Sequence, residues 1–317
     1  ITGPGGCGKS FLINEMVTIA KQQKKIFSVT ATTGCAAVLL GNNAKTINSW
    51  GGIGLANKDH DQVVRQVLTN KRKRTAWKST DILIIDEVSM LSKKVFDILD
   101  TIGREVRNCK KPFGGIQVVF SGDFYQLPPV GDYDVESKAF CFESSTWKET
   151  FQENQICLKK IFRQSGDDTF KKILNQIRKG IISKDSHDIL NSCVNKENKS
   201  DILPVKLYPR KNIVDSINKK YNDELKGKCY EYGIKMFETL TDRGNSKTIV
   251  RTEINDSGNK DKLIQANSLK QIEPLMLKKG SQVMCVVNLD MESEQQICNG
   301  SCGTVVDFSV ADNPIVK

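Results

Sequence analysis

The stretch GPGGCGKS (3–10) constrains the fold of this chain more than any other feature. It matches G-x-x-x-x-G-K-[ST] at every fixed position. Glycines there let successive backbone N–H groups turn inward around phosphate oxygens, and the helix that follows points its positive end at them. The pattern predicts a nucleoside-triphosphate site: Gly3, Pro4, Gly5, Gly6, Cys7 and Gly8 form the loop, Lys9 reaches the β- and γ-phosphates, Ser10 holds Mg2+, and Phe11 follows in the first helical turn. Only two residues precede the loop, so the strand that should lead into it is expected upstream.

A phosphate loop needs an acidic partner on a buried strand, and LIIDE (83–87) supplies one. Its apolar run reads as a strand covered on both faces. Asp86 is expected to bind Mg2+ and Glu87 to orient and deprotonate the attacking water. Further along, SGDFYQLPPV (121–130) places Gln126 just past another apolar strand, in a segment stiffened by Pro128 and Pro129, where it would sense the γ-phosphate. With these come alternating strand and helix signals: a helix from Lys9 to about Gln23, strands at 26–31, 81–87 and 116–123, and a helix over 92–108 with Val95, Ile98, Leu99, Ile102 and Val106 on one stripe. Such alternation predicts an α/β fold with a parallel sheet.

The rest of the chain is less regular. Residues 50–80, containing WGGIG and the basic run NKRKRTAWK, read as an insertion. Past about 150 a helix marked by Phe170, Ile173, Leu174 and Ile177 closes at Gly180. VKLYP and QVMCVVN read as strands, KNIVDSINKKYNDEL as a helix, and 227–270 as a polar loop or a small insertion.

The formal net charge of +10 has two readings: a lysine-rich solvated surface, or a footprint for a polyanion. No apolar run approaches the roughly 20 residues that span a bilayer, and no membrane partner is expected. Ten cysteines are scattered singly and there are only two histidines, His60 and His187, which argues against a zinc site and for reduced thiols in an intracellular protein.

The long run DILIIDEVSMLSKKVFDILDTIGREVRNCKKPFGGIQVVFSGDFYQLPPV resembles the petite-integration-frequency (PIF) DNA helicases, a branch of helicase superfamily one. The likeness continues through KKIFRQ (159–164), LYPRKNIVDSIN (207–218), LKKGSQVMCVVNLD (277–290) and CNGSCGTVVDF (298–308). The resemblance implies a P-loop NTPase with two RecA-like domains, 1–155 with an insertion at about 51–78 and 156–317 running into an SH3-like insertion at about 298–317. ATP would bind in the cleft between them, and single-stranded DNA would run across both.

It also implies that Lys9, Asp86, Glu87 and Gln126 are catalytic and that Arg163, in IFRQ, is an arginine finger supplied by the second domain. Thr33 and Gly34 in ATTGCAA and Ser49 in TINSW match strand-lining positions. Asn48 stands where histidine is usual in the family, and Arg210 where a small polar residue is usual. Trp50, Trp77, Phe124 and Tyr125 are candidates for base stacking.

The implied activity is an ATP- and Mg2+-dependent monomeric motor moving five-prime to three-prime on single-stranded DNA and opening forked or tailed duplex. A nucleic-acid-stimulated ATPase acting as a clamp without strand separation stays open, and intact site residues argue against a silent binding module. The family's upstream glutamine motif and its last two helicase motifs lie outside the sequence, so the chain is expected to be a fragment.

Overall fold

The computed structural model describes residues 1–131, 134–151, 154–163, 166–194, 196, 206–233, 237–241, 249–253, 274–286, 297 and 300–317. The chain divides into two compact units, Ile1–Glu197 with Asn288–Cys298, and Asn198–Val287 with Asn299–Lys317.

In the first unit, helix α1 (Lys9–Gln22) follows the glycine loop, then strand β1 (Phe27–Ala31), helix α2 (Gly34–Leu40), the short strand β2 (Lys45–Thr46) and three helices, α3 (Ile47–Gly51), α4 (His60–Thr69) and α5 (Lys71–Ser79). Strand β3 (Ile82–Asp86), helix α6 (Lys93–Arg107) and strand β4 (Gln117–Phe120) come next. Short helices α7 (Val135–Lys138) and α8 (Trp147–Phe151) precede α9 (Asp168–Lys179) and α10 (Lys184–Ser192).

The sheet order is β2-β1-β3-β4 and every pairing is parallel. Thr2 extends it, bridging Gly122 on one side and Cys157 on the other, both in parallel sense. The residues that lead into the phosphate loop are thus held as a strand is: Ile1 N donates to Phe120 O at 2.7 Å, Thr2 N to Ile156 O at 2.7 Å, and Leu158 N to Thr2 O at 2.8 Å. One strand, β4, therefore separates the phosphate loop from the acidic strand β3.

Alternation along β3 explains the layers, because successive side chains point to opposite faces. Ile84 packs with Ile13, Val17, Val29 and Ala37 under α1 and α2, whereas Leu83 and Ile85 face the larger cluster beneath α3 to α6. The stretch expected to be an appended insertion belongs to that larger core. Trp50, Ile53, Val63, Val67 and Trp77 are all buried in it, with Trp50 and Trp77 ring to ring at 4.6 Å and Trp77 Nε1 donating to Gly51 O at 3.2 Å. Neither tryptophan is available to stack on a base.

The PFGG segment is a structural device. Its 3-10 turn Pro112–Gly115 lies across α6, Phe113 N donates to the buried Asp100 carboxylate at 2.6 Å, and Asp100 also takes Arg104 Nε at 2.9 Å. Gly114 sits at φ +63, and a Cβ there would lie 2.1 Å from Gly103 O. Steric overlap and left-handed backbone act together, so Gly114→Ala is expected to cost about 3–5 kcal/mol. Denaturant unfolding at constant slope would measure it; a midpoint unchanged from the parent would show the crossing to be slack.

In the second unit, α11 (Lys211–Glu224) is followed by β5 (Tyr230–Tyr232), β6 (Phe237–Thr241), β7 (Ile249–Glu253), β8 (Leu275–Leu277), β9 (Gln282–Met284), β10 (Cys302–Phe308) and β11 (Pro314–Val316). Pairings are antiparallel throughout: β5 with β8, β6 with β7, and β10 with both β9 and β11. Lys278 Nζ donates to Asn222 O at 2.9 Å and Leu225 O at 2.8 Å, satisfying carbonyls at the end of α11. The region 227–270, expected to be a polar loop or a small insertion, contains three strands among its described residues. Of VKLYP, Lys206–Pro209 lie outside any strand, and Cys298 and Asn299, where the SH3-like insertion was expected to begin, lie outside the described residues.

Candidate nucleotide site and strand-facing edge

Every site residue expected in the first unit hangs from the carboxyl edge of the parallel sheet. The phosphate loop follows Thr2, Thr33 and Gly34 follow β1, Asn48 and Ser49 follow β2, Asp86 and Glu87 end β3, and Gln126 follows β4. Parallel strands put all their exit loops on one edge, which is where α/β sheets bind ligands.

The loop itself is held tightly at its start. Gly3 has φ +156, and a Cβ on it would meet Leu158 O at 2.4 Å and Cys7 Sγ at 2.8 Å. Cys7, in place of the commoner threonine, is buried beneath the loop, so its side chain packs while its backbone does the turning. Gly8 caps α1 in the left-handed region, with no side-chain cap and no acidic residue in the first turn, which leaves the helix's amide groups for an anion. Lys9 Nζ lies across the loop, donating to Gly3 O at 2.8 Å and Pro4 O at 3.1 Å. Ser10 and Phe11 are exposed in the first turn.

Asp86 is buried, and its Oδ1 has no hydrogen-bond partner. An orphaned anionic oxygen beside a phosphate loop suits a hard divalent cation. Among the described residues no group of three His, Cys, Asp or Glu could hold a metal ion. A cation at Asp86 and Ser10 would therefore complete its shell with phosphate oxygens and water, as Mg2+ commonly does.

Glu87 adopts the left-handed conformation, φ 55 and ψ 40, a strained state for a non-glycine residue that clusters at functional sites. Thr32 holds the turn, with Thr32 N donating to Asp86 O at 3.2 Å and Thr32 Oγ1 to Glu87 O at 2.9 Å. Burial first, then the neighbouring Asp86 charge, raise the Glu87 pKa, against the opposing pull of Lys9 and Arg163. The fold thus favours the protonated acid, so stability is lost as pH rises through that raised value. In nucleotide-free protein, Glu87→Gln is expected to raise Tm at pH 7, with the gain vanishing below about pH 4, where the parent is also neutral. A calorimetric scan at the two pH values checks the sign.

Gln126 is exposed, and its Nε2 reaches Asp123 Oδ2 at 3.5 Å. Asp123 is a residue that motif reading passed over: its side chain is 1% exposed and paired with Arg178 of α9. Burial pushes the Asp123 carboxyl up, but the Arg178 hydrogen bonds and the Tyr125 amide outweigh it and hold the pKa below the usual carboxylate value. Arg178 is one of only ten arginines in the chain, and that scarcity was the available signal.

Arg163 sits differently from expectation. It belongs to the same compact unit as the phosphate loop. Its amide and that of Phe162 donate to Gly6 O at 3.3 Å and 2.8 Å, while its side chain is exposed.

Among the residues expected to touch nucleic acid, Thr33 caps α2, its Oγ1 accepting from Ala36 N at 3.2 Å. Asn48 donates to Gly54 O at 2.7 Å, Ser49 is exposed, and Lys73 Nζ donates to Ser49 O. Phe124 is packed edge-on against Phe142 at 4.9 Å and Phe140 at 6.0 Å, inside an aromatic cluster that includes Trp147. Its ring is committed to packing, whereas Tyr125 is 66% exposed. Arg210 stands exposed at the start of α11 in the second unit.

A parallel sheet with the phosphate loop two strands from its acidic partner and β4 between them is the RecA-like P-loop NTPase fold. Residues 1–188 match the family described as PIF1-like helicase, and the chain belongs to that family. It is 36% identical over 309 residues to the ATP-dependent DNA helicase PIF1 of Saccharomyces cerevisiae (strain YJM789), which covers 97% of this chain and 33% of that one. The crystal structure of Pif1 helicase from Candida albicans matches with a TM-score of 0.76 at 33% identity, over 98% of this chain and 65% of that one. Bacteroides Pif1 bound to ssDNA matches at 0.66 and 25% identity, over 99% and 69%. No helix among the described residues is long and apolar enough to cross a membrane.

Proposed function

We propose that this chain is the nucleotide-hydrolysing core of an ATP-dependent DNA helicase that moves five-prime to three-prime on single-stranded DNA and opens tailed or forked duplex. The observation that carries the reading is the shared sheet edge. Residues that would bind phosphate and its cation and the first-unit residues that would touch a strand leave the same edge of one parallel sheet, with the Asp86 turn on β3 beside the Thr33 turn on β1.

In this reading the loop amides and Lys9 bind the phosphates, and bound Mg2+ neutralises developing charge on them. Asp86 and Ser10 hold that cation, and Glu87 takes the proton of the attacking water. Its raised pKa makes it a stronger base than an ordinary carboxylate. Gln126 registers the terminal phosphate, and Arg163 offsets transition-state charge. Two RecA-like domains, 1–155 and 156–317, are the organisation that such a motor uses, and Thr33, Gly34, Asn48, Ser49 and Arg210 are its proposed strand contacts.

Helix α5 supports the polyanion reading of the net charge. Lys71, Arg72, Arg74 and Lys78 are exposed there, and among the described residues none is in an ion pair. Burial, then the charges of Arg72 and Lys45, lower the pKa of the intervening Lys73. Arg72→Ala with Arg74→Ala is expected to weaken DNA binding uniformly across sequences and to reduce the logarithmic salt slope by about two. A titration at several salt concentrations reads it directly.

The test of the function is strand displacement by the full-length parent protein on duplexes with a five-prime or a three-prime tail. Displacement from the five-prime tail alone supports the motor and its direction. DNA-stimulated hydrolysis with no displacement on either tail replaces it with the clamp.

A further inference from the structure

The loop after β4 is tied to α9 by a single carboxylate. Asp123 Oδ1 accepts from Arg178 Nη2 at 2.7 Å and from the Tyr125 amide at 3.2 Å. Asp123 Oδ2 accepts from Arg178 Nε at 2.8 Å and from Gln126 Nε2 at 3.5 Å. Each oxygen thus takes one donor from the helix and one from the loop. The Gln126 amide closes a turn onto Asp123 O at 2.8 Å, and the Arg178 guanidinium covers the Tyr125 ring at 4.3 Å. Among the described residues this is the only ion pair joining α9 to the sheet. Helix α9 begins at Asp168, shortly after the Arg163 segment that is bonded to Gly6 O.

We propose that Arg178 is a positioning residue for hydrolysis, clasping Asp123 so that the Gln126 loop and α9 move as one body. The planar fork fixes the carboxylate in one plane, which an ammonium would not do. A fixed carboxylate gives Gln126, an otherwise exposed side chain, its one protein partner among the described residues. The same fork makes α9 follow when the loop shifts on the terminal phosphate. Loss of the fork frees the loop while leaving the phosphate loop and its nucleotide contacts alone. The proposal rests on the reading of Gln126 as the sensor.

The test compares five variants of the full-length protein, saturated with single-stranded DNA: Arg178→Gln, Arg178→Lys, the neutral pair Asp123→Asn with Arg178→Gln, Gln126→Ala, and Gln126→Ala with Arg178→Gln. ADP affinity and the kcat and KM for ATP are measured for each. Arg178→Gln and the neutral pair are expected to lower kcat on the order of 10- to 100-fold, the scale of a misplaced catalytic group, with ADP affinity unchanged. Arg178→Lys should fall between these and the parent. On the Gln126→Ala background, Arg178→Gln should add nothing. A neutral pair with the parental kcat while Gln126→Ala is impaired overturns the clasp alone. So does a full Arg178→Gln loss on the Gln126→Ala background. A parental Gln126→Ala overturns the sensor reading and the clasp with it.

Discussion

Lys9→Ala is expected to lower ATP turnover on the order of 10³-fold while DNA binding persists. Lys9 is the cation placed over the phosphate loop by α1, and its Nζ already lies within hydrogen-bond distance of two loop carbonyls. Removing it deletes a preorganised charge where negative charge develops, the kind of loss that costs 10²–10³ even for a single uncharged donor. The fold should tolerate the change. Lys9 is the first residue of α1, where alanine is a good helix former, and the helix packs through Ile13, Val17 and Ala20. The proposed strand contacts Thr33 and Ser49 ride on other loops, so filter binding to single-stranded DNA should match the parent. Turnover within a few-fold of the parent would falsify the phosphate-loop assignment.

Arg163→Ala carries the second large effect, a fall in kcat on the order of 10³ with ATP binding retained. The backbone of this segment is fastened to Gly6 O through the amides of Phe162 and Arg163, and the guanidinium is exposed. Truncation therefore removes charge without removing the anchor. A further consequence follows for pH. Arg163 is one of two cations that lower the Glu87 pKa, so its loss should move the acid limb of kcat/KM to higher pH. A variant with parental kcat, or with an acid limb displaced downward, refutes the role. Arg163→Lys separates charge from fork: it should restore the acid limb better than it restores kcat, because a point charge lacks the planar bidentate geometry.

The parts of the fold legible in the sequence are those whose physics is local. The phosphate loop, the apolar strand ending in Asp86 and the stripe on α6 each declare themselves within a dozen residues. That those loops share one edge follows from the parallel sheet alone, which puts every exit loop on one side whatever the loops contain. The stretch 50–80 resisted because its core contacts are long-range: Trp50 meets Trp77 across a segment broken by glycines and rich in charge. The Asp123–Arg178 pair resisted for the same reason, as its partners lie 55 residues apart and neither belongs to a periodic pattern. Phe124 misled as a base platform because an aromatic beside a strand carries no sign of which other rings surround it. PFGGIQ was legible as a family signature, yet its reason, the crossing of Gly103 and Gly114, is visible only in three dimensions.

The position of Thr2 between the ends of β4 and the Cys157 segment bears on how the protein is made. A ribosome delivers the phosphate loop before its neighbours: the main chain that flanks it on one side, at Phe120, lies 119 residues beyond Ile1, and the Cys157 segment follows later still. At translation rates of about 5–20 residues per second, the nascent loop waits on the order of ten seconds for its neighbours. During that wait, α1 and its glycines have no sheet to lean on. The bed of the phosphate loop is thus completed only after the segments that flank it, as a property of the assembled sheet and not of the segment that carries the signature.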